Sequence, residues 1–191
     1  MNRLKTALGL MAAMALLTGC VATPEVTTYI DPLTNQRTDL LSENELIVPG
    51  QTQPREIVLL NASRIPVTRN HYRISLEVQY LTRVEAGALD ILPGRTLTIV
   101  TDGKEMKFSS LGSMNARKER DGILTETALY EAQPSDIDAI ANASKVTVLV
   151  KGKSLLIERD FSPQNFERFK QFATKISTPG PKAGTPMAHG L

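Results

Sequence analysis

Over residues 71–81, apolar and polar side chains alternate: Tyr72, Ile74, Leu76, Val78 and Tyr80 against Arg73, Ser75, Glu77 and Gln79. A period of two puts one set on a buried face and the other in solvent, which predicts a half-buried strand of an antiparallel sheet. Residues 97–110 carry Asp102-Gly103 between two strand-like runs. Asp-Gly suits the type I′ hairpin turn, whose two central residues need φ > 0. Further strands are predicted over 56–60 and 123–130, and at Tyr29-Ile30 leading into the turn Asp31-Pro32-Leu33-Thr34-Asn35. Residues 145–151 and 154–161 flank Gly152-Lys153 and read as a second hairpin. Residues 38–53 keep no period and read as irregular.

Two stretches switch to helical spacing. Ile137, Ile140 and Ala141 make a short apolar stripe after Ser135, which is placed to cap with Asp138 at N3 and Asp136 favouring the N-terminal dipole. The second stretch is stronger. Ser162 suits the N-cap and Pro163 suits N1, where its missing N–H costs nothing. Phe161 and Phe166 have hydrophobic-staple spacing, and Phe166, Phe169, Phe172, Ala173 and Ile176 share one face. Burying each ring is worth about 1.5–3 kcal/mol.

Strands first, helices late and no regular βαβ alternation predict an α+β fold. The expectation is a mainly antiparallel sheet of about five to seven strands, with a short helix and a C-terminal Phe-rich helix on one face. The domain is expected over 29–176, followed by a disordered tail, 177–191, rich in Pro and Gly. Asn61-Ala62-Ser63-Arg64-Ile65 echoes Asn142-Ala143-Ser144-Lys145-Val146, but the flanks do not extend the match.

The N-terminus follows a different logic. Arg3 and Lys5 precede an apolar run of eleven residues, 7–17, and then Thr18-Gly19-Cys20. A bilayer-spanning helix needs about 20 residues, so this reads as a secretory signal peptide rather than a membrane span. Leu17-Thr18-Gly19-Cys20 resembles the lipobox of bacterial lipoproteins. That resemblance implies cleavage after residue 19, with Leu17, Thr18 and Gly19 as the signal-peptidase recognition residues. It also implies acylation of Cys20, and residues 20–28 then form the lipidated tether. Val21 stands where an inner-membrane-retained lipoprotein of the enterobacterial type has Asp, so the resemblance implies the periplasmic leaflet of the outer membrane.

Charge and composition narrow the chemistry. The chain of 191 residues carries 22 Lys+Arg and 20 Asp+Glu, and two of the bases lie in the leader. Balanced charge argues against nucleic acid as a partner. Residues 21–54 hold five acids and one base, whereas 145–191 hold eight bases and three acids, so electrostatic effects are local. One cysteine and two histidines exclude a disulfide framework and any Cys-rich metal site, and no metal or cofactor is expected. No Gly-x-Ser-x-Gly elbow is present. His71 falls on the polar side of its strand with Arg73. Glu126 with Glu131, and Asp136 with Asp138, read as strand-surface and helix-start residues rather than acid–base pairs.

Residues 111–122 read as a long polar loop, and Ser113, Asn115, Arg117, Lys118 and Arg120 are the candidate partner-contact residues. The expected function is a non-enzymatic envelope lipoprotein, held to the bilayer through acylated Cys20 and acting through an envelope protein partner. Two alternatives stay open: a lipoprotein that binds a lipid or small apolar ligand between sheet and Phe-rich helix, and a hydrolase of envelope polymers.

Overall fold

The computed structural model describes residues 26–48, 56–68, 71–110, 112 and 115–178. Leu17, Thr18, Gly19, Cys20, Ser113 and residues 179–191 of the predicted tail lie outside the described residues. The fold is α+β and mostly antiparallel sheet, as the alternation predicts.

The strands are β1 (Thr27–Ile30), β2 (Arg37–Leu41), β3 (Glu56–Thr68), β4 (His71–Arg83), β5 (Gly94–Thr101), β6 (Lys104–Ser110), β7 (Ala116–Arg120), β8 (Ile123–Ala132), β9 (Val146–Lys151) and β10 (Leu156–Asp160). Helix α1 (Pro134–Asn142) lies between β8 and β9, and α2 (Pro163–Ser177) closes the series. All ten strands belong to one sheet in the order β1-β2-β3-β4-β8-β6-β5-β9-β10, with β7 beside β8. The expected five to seven strands are too few. β2 carries no strand signal in the sequence, because its inward residues include Arg37 and Asp39 and it has no apolar parity. β7 carries none because all five of its residues are exposed.

β3 and β4 form the spine, paired from Glu56↔Thr82 to Thr68↔His71. β3 is far longer than the predicted five residues, and its Pro66 sits beside a bulge, where a missing donor does no harm. The far edge of β8 is shared. β7 covers its first half, while β6 meets it only at Ser110↔Tyr130. The sheet therefore has two parts joined at Tyr130. A register shift between Arg95 and Leu97 marks the same place, and Thr96 Oγ1 lies 3.0 Å from the Tyr130 hydroxyl. The sheet curls until Arg159 of β10 pairs with Glu56 of β3 at 2.6 Å.

One core fills the curl. Leu60, Leu76, Val78, Leu97, Ile99 and Tyr130 come from the strands, Ile137 and Ile140 from α1, and Phe169 and Phe172 from α2. The predicted caps of α2 are present: the Asn165 N–H donates to Ser162 Oγ at 3.3 Å, and the Phe161 and Phe166 rings lie 5.3 Å apart, edge to face. Helix α1 differs from expectation. It starts at Pro134 after Gln133, and Asp136 rather than Asp138 stands at N3, accepting from the Gln133 N–H at 2.8 Å. Proline at N1 sets that start, as it does for α2.

Polar side chains dock α2 at both ends. Near its start, Asn165 Nδ2 donates to Asn44 Oδ1 and to the Glu45 carbonyl (3.0 and 2.8 Å). Near its end, Arg37 and Arg64 donate to the carbonyls of Lys175 and Ile176 (3.2 and 2.8 Å). Asp39 joins the two arginines at 2.9 and 2.7 Å, fully buried, and also accepts from Thr28 Oγ1. The two cations thus meet the negative end of the helix dipole.

Candidate functional site

The predicted loop over 111–122 is not one loop. Residues 116–120 form β7, and Asp121-Gly122 turns it back into β8 with positive φ at both residues (53° and 74°). This is the same Asp-Gly hairpin chemistry that joins β5 to β6, where φ is 49° at Asp102 and 86° at Gly103.

The candidate contact residues separate by strand parity. Arg117 faces Glu126 across the β7–β8 ladder, whereas Lys118 faces Thr125 and Arg120 faces Ile123 on the other side. Lys118 and Arg120 are exposed, and Arg120 pairs with its neighbour Asp121 at 3.3 Å. Arg117 turns back and bridges Glu126 and Asp90. Asn115 is also turned inward: its Nδ2 donates to the Ile91 carbonyl (3.2 Å) and its Oδ1 accepts from Ser110 Oγ (2.7 Å).

Glu126 is the centre of this group and corrects the strand-surface reading. It is only 4% exposed. Both carboxylate oxygens accept from the Asp90 N–H, at 2.9 and 3.2 Å. Its parity is that of Leu124, Ala128 and Tyr130, all core residues, so the sequence carried the signal: a carboxylate on the apolar face of a strand. Glu131, an odd number of residues away, points to the opposite face and makes no pair with it.

Asp90, with φ 56°, belongs to the connection between β4 and β5. Leu89 beside it is buried, and its carbonyl accepts from the Lys153 N–H at 3.1 Å. Gly152 lies so close that a Cβ there would stand 1.9 Å from the Leu89 carbonyl oxygen. The connection is thus clamped between the β7–β8 hairpin and the β9–β10 turn.

A second ion pair, Glu56–Arg159, lies near Tyr80. Burial pushes the Tyr80 hydroxyl pKa up, a hydrogen bond to Thr82 opposes that, and the charges of Glu56 and Glu126 add to the rise while Arg159 reduces it. Asp90 first and Glu126 second raise the Arg117 pKa. In one pair a guanidinium engages the buried Glu126 carboxylate and in the other the part-buried Glu56 carboxylate, so the geometry suits holding strands and connections together. His71 opens β4 as an exposed residue, as its parity predicts.

Among the described residues, no group of three or more His, Cys, Asp or Glu side chains could hold a metal ion, and no helix is long and apolar enough to cross a membrane. No known family model, curated protein or solved structure matches the chain.

Proposed function

We propose that this chain is a lipid-anchored bacterial envelope protein that acts through protein contacts rather than by catalysing a reaction. The observation that carries the reading is Leu17-Thr18-Gly19-Cys20 at the end of a short apolar run preceded by Arg3 and Lys5. Two or three acyl chains on Cys20 give a stable anchor where one chain is marginal. The site geometry supports the second half of the reading. Arg117 is half-exposed but tied to Glu126 and Asp90, and Asn115 is tied to Ile91 and Ser110, while β7 offers Lys118 and Arg120 outward on a short charged strand, a surface suited to recognition. The outer-membrane leaflet facing the periplasm is the proposed address.

The test follows a labelled fatty acid. The natural chain takes up the label and fractionates with membranes, and Cys20→Ser abolishes both. An unlabelled natural chain, with Cys20→Ser still in the membrane fraction, overturns the anchor. Photo-crosslinkers placed at Lys118 and Arg120 in cells then capture a protein partner; crosslinks that reach no protein at either position overturn the contact role.

A further inference from the structure

We infer that the β1–β2 hairpin tip is a membrane-contact element, which seats its exposed apolar residues in the headgroup region of the bilayer that holds Cys20. The inference rests on the lipid-anchor reading and extends it to the orientation of the domain.

The tip is a hydrogen-bonded turn that presents Leu33 outward. Asp31 Oδ1 accepts from the N–H groups of Leu33 and Thr34 at 2.8 and 3.2 Å. The Asp31 N–H donates to the Gln36 carbonyl and the Asn35 N–H to the Asp31 carbonyl, both at 2.8 Å. The Leu33 N–H first and the Thr34 N–H second hold the Asp31 carboxyl below its usual pKa, so it stays ionised and spent on the turn. The frame leaves Leu33 93% exposed at its apex. Leu33 sits in a preformed turn, so little ordering entropy remains to be lost when it is buried.

Other exposed apolar residues cluster at the same end. β1 rises to the tip and β2 returns from it, while the next strand, β3, rises toward the same end. Tyr29 pairs with Thr38, and Ile65 follows Arg64, the partner of Asp39, so Tyr29 and Ile65 share a face. Ile30, Tyr29, Ile65 and Val67 are all exposed, and Arg73, which pairs with Ile65, adds a cation suited to anionic headgroups. Scattered single exposed hydrophobics are ordinary, but Tyr29 and Ile65 side by side on one face, with Ile30 on the other face and Leu33 and Val67 toward the same end, concentrate apolar surface there.

The spacing to Cys20 selects the occupant. Six residues, 21–26, lie between Cys20 and Thr27, and the seven steps reach at most about 25 Å when extended. The arm from Thr27 to the tip is about 15 Å at the rise of a strand. A span longer than the arm lets the tip reach the surface in which the acyl chains are inserted.

The chain has no tryptophan, so a single indole reports its own surroundings. Leu33→Trp and Ile123→Trp are made in the full acylated chain. Ile123 is also exposed but pairs with Arg83, at the end of β4 remote from His71. Each protein is reconstituted into phosphatidylethanolamine–phosphatidylglycerol vesicles containing acyl-brominated phosphatidylcholine. Intact mass first verifies acylation, and its absence overturns the anchor and this inference together. With acylation present, the Leu33→Trp indole is expected to shift to the blue and lose most of its emission to bromine, while Ile123→Trp emits as in water. An unquenched Leu33→Trp protein, or equal quenching at both positions, overturns the membrane contact and leaves the anchor standing.

Discussion

A carboxylate on the core side of a strand has to be matched, because burying an unpaired charge costs far more than any single packing contact returns. Glu126 meets that requirement with the Asp90 N–H and the Arg117 guanidinium, and in doing so fixes the β4–β5 connection to the β7–β8 hairpin. Arg117→Ala is expected to cost about 1–3 kcal/mol, the penalty of leaving a buried acceptor short of a partner. The half-exposed guanidinium keeps the figure below that of a fully buried pair. Urea unfolding reads the loss. The double variant with Glu126→Gln should lose less than the sum of the singles, and additive losses would show that the two side chains do not act together. This pairing was half legible in the sequence. Glu126 stands on the same parity as Leu124, Ala128 and Tyr130, which marks it as buried, but nothing in 116–120 marks Arg117 as its partner. That requires the ladder, and β7 has no apolar face to announce it.

Local chemistry was readable where apolar runs flank it, as at α2 and Asp102-Gly103, but not at Asp121-Gly122 beside β7, which has no apolar face, or at the Gln133-Pro134 start of α1. Elements set by their neighbours were not readable at all. Helix α2 starts where Ser162, Pro163 and the Phe161–Phe166 contact place it, because caps and staples act within one turn. The type I′ turn at Asp102-Gly103 is equally local. β2 is the opposite case: its inward residues Arg37 and Asp39 look like surface residues until Arg64 of β3 and the carboxyl end of α2 are placed against them. Asp39 holds these three elements together, so Asp39→Asn leaves two buried guanidiniums without a counter-charge. The expected loss is about 3–5 kcal/mol. Because Arg37 and Arg64 also hold the Lys175 and Ile176 carbonyls, hydrogen exchange should speed up in the last turn of α2 more than near Ser162. Uniform acceleration along the helix would place the effect in global unfolding alone.

At the scale of the molecule, two tyrosines lie inside the curl, and both resist ionisation. Tyr130 is fully buried where the two parts of the sheet join, and burial raises its pKa while the hydrogen bond with Thr96 works the other way. Tyr80 lies near the Glu56–Arg159 pair that closes the curl, and burial raises its pKa too. Deprotonating either one would place a phenolate in the core. Below the unfolded-state value of about 10 both states hold the proton, and the full stability is present. Above it the unfolded chain releases protons that the folded chain keeps, so stability falls until the pH passes the folded-state pKa. Each unit of upward shift then contributes about 1.4 kcal/mol to the loss. Tyr130→Phe is expected to lower stability near neutrality by about 1 kcal/mol through the lost bond to Thr96, yet to soften the alkaline decline. Tyr80→Phe should soften it as well. Every other titrating group is common to all three proteins, so the difference between wild-type and variant profiles isolates the tyrosines. Urea midpoints followed from pH 8 upward give those profiles. Parallel declines in all three proteins would show that folding does not raise the pKa of either hydroxyl.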